Sequence, residues 1–61
     1  MHEQVHSEAE RKDIFRALVD AQDHAMTVPQ SRRAVADRFG LSEGQVRQIE
    51  WEGLDRGWLQ G

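Results

Sequence analysis

Between Glu43 and Gln48 the chain gathers side chains that hydrogen-bond to the edges of nucleic-acid bases. Arg47 can pair bidentately with guanine, Gln48 can pair with adenine, and Glu43 can accept from cytosine N4. Gly44 lies among them and Ser42 just ahead of them, so Ser42, Glu43, Gly44, Arg47 and Gln48 form a first candidate set. Arg32 and Arg33, next to Ser31 and to the backbone N–H groups of a helix start, form a second set suited to phosphate, with Arg38 behind them. Each residue also has a plain alternative. Arg and Gln keep an exposed helix soluble, and an acid at the start of a helix suits the macrodipole with no ligand present.

Catalytic chemistry has no comparable support. No serine or threonine is paired with a base, and no glycine-rich phosphate loop is present. His2 and His6 are four apart, but with His24 distant they supply too few ligands for a metal. Asp20, Asp23 and His24 read as the solvated end of a helix. No cofactor, metal or catalytic residue is therefore expected.

The elements that must position the candidates follow from caps and periodicity. Ser7 with Glu10 has the form of a capping box, and Ile14, Phe15, Leu18 and Val19 then make one apolar stripe. This predicts a first helix over about 8–24, with Ala9, Ala21 and Ala25 extending the stripe. Pro29 disfavours helical geometry at Val28, so Ser31 is expected to cap a short second helix over 32–39, with Val35, Ala36 and Phe39 inward. Gly40 ends it and Leu41 plugs the turn. Ser42 with Gln45 is another capping box, opening a third helix over 43–56 through Val46, Ile49 and Leu54. Helix, glycine turn, apolar residue, cap, helix is the sequence form of a helix-turn-helix. The expected fold is thus all-α, a three-helix bundle with a helix-turn-helix. Residues 7–61 form one domain and 1–6 a disordered N-terminal segment.

At about 100° per residue, Val46, Ile49, Glu50 and Gly53 share one side of the third helix, with Leu54 at its edge. The other side carries Gly44, Gln48, Trp51 and Asp55, flanked by Arg47. Trp51 can pack against the N-terminal segment, touch a DNA backbone or meet a protein partner, and a place in the core is the commoner outcome for so large a residue. Trp58, after Gly57, is expected to fold back as a lid on the core.

Composition bounds these readings. A chain of 61 residues without cysteine has neither a disulfide nor a thiolate metal site to help it fold. The net charge of −3 departs from the basic surplus usual in nucleic-acid domains. The deficit lies wholly before Val28, where Glu3, Glu8, Glu10, Asp13, Asp20 and Asp23 face Arg11, Lys12 and Arg16. From Val28 onward Asp37, Glu43, Glu50, Glu52 and Asp55 are balanced by Arg32, Arg33, Arg38, Arg47 and Arg56. DNA binding is permitted, with weak non-specific affinity. No signal-peptide pattern or membrane-spanning apolar run is present, so a cytoplasmic protein without membrane contact is expected.

The run Val35-Ala36-Asp37-Arg38-Phe39-Gly40-Leu41-Ser42, followed by Val46-Arg47-Gln48-Ile49-Glu50, resembles the −35-element-binding helix-turn-helix in region four of bacterial sigma-70-type RNA polymerase sigma factors. The likeness spans about half the chain, Ser31 to about Asp55. It implies that Arg47 and Gln48 contact bases or nearby phosphates. The family usually has Arg then Glu where this chain has Glu43 then Gly44, and a basic tail where Glu52 and Asp55 stand. Sigma regions for core polymerase and the −10 element have no counterpart in these residues. The expected function is therefore a stand-alone transcription regulator that binds double-stranded DNA through its third helix, a homodimer raising its affinity. The alternative is an interaction module of the same fold that binds RNA polymerase or another transcription protein without reading DNA.

Overall fold

The computed structural model describes residues 7–24 and 26–60. Three helices, α1 (Glu8–Asp23), α2 (Val28–Phe39) and α3 (Glu43–Arg56), each pack against the other two, and a 3-10 turn over Trp58–Gln60 follows. No strand occurs among the described residues, so the all-α three-helix bundle is as expected. The expectations for Met1–His6, including His2 and His6, and for Ala25 lie outside the described residues.

Each helix opens on a reciprocal capping box. In α1 the Ser7 hydroxyl accepts from the Glu10 N–H at 3.1 Å, and the Glu10 carboxylate accepts from the Ser7 N–H at 3.0 Å. Ser42 and Gln45 repeat this for α3 at 3.1 and 2.9 Å. At the other end of α1, the Asp20 backbone carbonyl, 2.7 Å from His24 Nδ1, and the Asp20 carboxylate raise the His24 pKa above its ordinary value. The imidazolium is thus favoured in the folded chain. Its stabilising share is present below the ordinary pKa and fades as pH rises through the raised one.

The second helix departs from expectation. It begins at Val28, about one turn before Ser31, and Thr27 is its extended N-cap. Proline costs no backbone hydrogen bond in the first turn, because the N–H it lacks would have no partner there. Thr27 and Gln30 cap the opening reciprocally at 3.2 and 3.1 Å. Ser31 is therefore not a cap. It is fully buried, its hydroxyl donating to the Val28 carbonyl at 2.8 Å and accepting from Gln22 Nε2 at 3.2 Å. Removing the true cap should show this directly. Thr27→Ala is expected to cost about 1 kcal/mol, read from urea midpoints, and an unchanged midpoint would contradict the longer helix.

Between α2 and α3 the turn is three residues long. Gly40 takes a left-handed conformation (φ 69°), and the Leu41 N–H donates to the Ala36 carbonyl at 2.8 Å, which directs Leu41 back onto the core. The core is Ile14, Phe15 and Leu18 from α1, Val35 and Ala36 from α2, and Val46 and Ile49 from α3. Trp58 closes it as expected. Its ring meets Phe15 edge-on at 5.9 Å, and Lys12 Nζ lies 5.9 Å from the indole centre. Gly53 is buried where α3 passes the Phe15 ring. No buried side-chain nitrogen or oxygen among the described residues lacks a partner.

Candidate nucleic-acid interface

The rotation of α3 follows its apolar residues. Val46, Ile49 and Gly53 are buried and Glu50 partly so, which turns Gly44, Arg47, Gln48, Trp51 and Asp55 outward. The first candidate set thus stands together on the first turns of α3, immediately after the tight turn. Ser42 Oγ is engaged in the cap, accepting from the Gln45 N–H. Glu43 is exposed in the first turn and accepts from Arg33 Nε at 3.5 Å. Gly44 has open space, with only Ser42 Oγ within 4 Å of an added Cβ, at 3.8 Å.

Trp51 does not take the core place expected of it. It is 61% exposed, and Leu54, one turn on, is 55% exposed. The buried side of α3 is the one carrying Val46, Ile49 and Gly53, and Trp51 is rotated away from it. Trp51 makes no ring or cation contact among the described residues.

The arginines divide by what holds them. Arg32 donates through Nε and Nη2 to Glu50 Oε1 at 3.0 and 2.9 Å, and both side chains are mostly withdrawn from water, at 25% and 15% exposure. Arg11 makes two bonds to the Glu52 carboxylate at 2.7 and 3.2 Å, and Arg56 reaches the same carboxylate at 3.2 Å. Glu50 therefore ties α3 to α2, and Glu52 ties it to α1. Arg33 sits differently: its side chain is 77% exposed and its contact to Glu43 is long, so it can turn to another anion at little cost. Arg47 is exposed and makes no ion pair among the described residues.

The two ion-pair ties went unread in the sequence, although a signal for them exists. Arg11 lies three and four residues before Ile14 and Phe15, and Arg32 holds the same relation to Val35 and Ala36. A charged residue placed in an apolar stripe needs a counter-ion, and Glu50 was already assigned to the inward side of α3.

Among the described residues no cluster of three His, Cys, Asp or Glu side chains could hold a metal ion, and no helix is long and apolar enough to cross a membrane. No family model, curated protein or solved structure matches the chain.

Proposed function

We propose that this chain is a small DNA-binding helix-turn-helix protein, a transcription regulator of the cytoplasm, that reads double-stranded DNA with the first half of α3. The observation that carries the reading is the exposure of Arg47 and Gln48 side by side, with Arg47 held by no acid among the described residues. In a DNA-bound helix-turn-helix the helix after the turn lies in the major groove with its N-terminal residues at the base edges. Arg47 then suits guanine and Gln48 adenine, while Arg33 suits a flanking phosphate. Gly44 leaves space for close approach, and Glu43 draws Arg33 toward the groove side. The sigma region-four likeness of the same segment points the same way.

With Arg32, Arg11 and Arg56 engaged by Glu50 and Glu52, few cations remain for phosphate, so binding should be weak and its salt slope shallow. A titration of duplex DNA at about 20 mM salt and again at about 150 mM tests this, since the loss of affinity on adding salt grows with the number of phosphates neutralised. Binding at the lower salt with chemical-shift changes centred on Ser42–Trp51 and reaching Arg33 is the expected result. Absence of binding at the lower salt sinks the proposal.

One observation favours a second reading. Trp51, exposed beside Leu54, suits a protein surface as well as a DNA backbone, so the fold can also serve as an interaction module for RNA polymerase or another transcription protein. Trp51→Ala would then abolish capture of polymerase and leave DNA binding unchanged.

A further inference from the structure

Arg47, Trp51 and Asp55 lie four residues apart along one ridge of α3. Successive members are about 6 Å apart along the axis and rotated by about 40°, so the three side chains form a continuous outward row. All three are exposed. Neither the cation at one end nor the anion at the other has an ion-pair partner among the described residues. The tryptophan at the centre is 61% exposed, with Leu54 exposed beside it.

A row with a cation, an indole and an anion at equal spacing is complementary to itself in reverse. Two copies of α3 laid antiparallel about a two-fold axis through Trp51 place each residue before Trp51 opposite the residue equally far behind it. Arg47 then faces Asp55 of the partner subunit, Gln48 faces Leu54 of the partner subunit, and the two indoles stack. Closed symmetry of this kind satisfies both copies through one patch. A shallow crossing of about 20° keeps both charged ends within reach of a side chain as long as arginine. The net charge of −3 on each chain opposes the pairing only weakly, because salt screens charges more than about 8 Å apart under physiological conditions.

We infer that this ridge is a self-association surface whose occupant is a second copy of the same chain, held by Trp51 at the centre and by two Arg47–Asp55 pairs at the flanks. The contact is short beside the 1,200–2,000 Å² typical of stable complexes, so the dimer is weak and appears as concentration rises. It also differs in kind from a dimer that reads two DNA half-sites, because it covers Arg47 and Gln48. Self-association and the proposed DNA contact exclude each other.

The test is a charge swap followed by sedimentation equilibrium from about 10 μM to about 1 mM chain. Arg47→Asp places two carboxylates opposite each other, and Asp55→Arg places two guanidinium groups there. Each single variant is expected to weaken the dimer at least about tenfold, because like charges facing across an interface are repulsive. The double variant, Arg47→Asp with Asp55→Arg, restores the pairing to within about threefold, since the opposed charges are merely exchanged. All these positions are exposed, and helical circular dichroism checks that the fold is kept. A chain monomeric throughout, a dimer indifferent to the single changes, or a double variant that fails to recover overturns the inference. The result is separable from the DNA reading: the double variant regains the dimer but not DNA binding, which needs a cation at position 47.

Discussion

Replacing Gly53 with alanine is expected to lower the thermal midpoint by roughly 10 °C, a large loss for the addition of one methyl group. A Cβ at this position would overlap Cδ1 and Cε1 of Phe15 and stand 2.7 Å from Cγ. Overlap at Cγ, the root of the ring, means that rotating the ring tip does not relieve it. Phe15 is 3% exposed and its ring is already met edge-on by Trp58, so the whole side chain has to move and take the lid with it. Overpacking of this kind costs about 3 kcal/mol at the upper end of its range. Alanine recovers about 1 kcal/mol through its better helix propensity. The net loss of about 2 kcal/mol is a large share of the 3–5 kcal/mol that a core of this size supplies. Gly44→Ala is the matched control: the propensity gain is available there and the space is open, so its midpoint should hold or rise. Equal behaviour of the two variants would mean that α3 does not approach α1 through Gly53.

Gly53 also shows where reading the sequence stops. Periodicity assigns it to the inward side of α3, but nothing in a single chain says which side chain of α1 lies against it. Local signals served well elsewhere. The Ser7–Glu10 and Ser42–Gln45 boxes, the Gly40 turn and the apolar stripes of α1 and α3 are contained within a few residues each, and they gave the three helices and the outward face of α3. The start of α2 departs from expectation because two local rules conflict at Pro29. The bias against helix before a proline predicts a late start, whereas the tolerance of proline in a first turn and the Thr27–Gln30 box beside it produce the early one. Trp51 departs from expectation because aromatic size argues for burial on average, while its rotation on α3 argues for exposure here. The ties from Arg11 to Glu52 and from Arg32 to Glu50 join residues far apart in sequence, so only the charged residue in the apolar stripe announced them.

Those ties change which arginine should matter to DNA, and two substitutions separate the roles. Arg47→Ala is expected to reduce affinity for a preferred duplex by about tenfold to a hundredfold, the value of one bidentate base contact. Its thermal midpoint should stay unchanged, because the side chain is exposed and holds no ion pair among the described residues. Arg32→Ala is expected to do the reverse. It leaves Glu50, 15% exposed, without its counter-ion and costs about 1–2 kcal/mol of stability. It should leave affinity nearly unaltered at temperatures where the domain is folded. Arg33→Ala falls between them, weakening all duplex sequences alike and reducing the salt slope by about one, as loss of a single phosphate contact requires. Fluorescence anisotropy with a labelled duplex, alongside melts of the same samples, reads both quantities. Loss of affinity in Arg32→Ala with full affinity in Arg47→Ala would place the DNA on the α2 side, and α3 would then be left to its protein contacts.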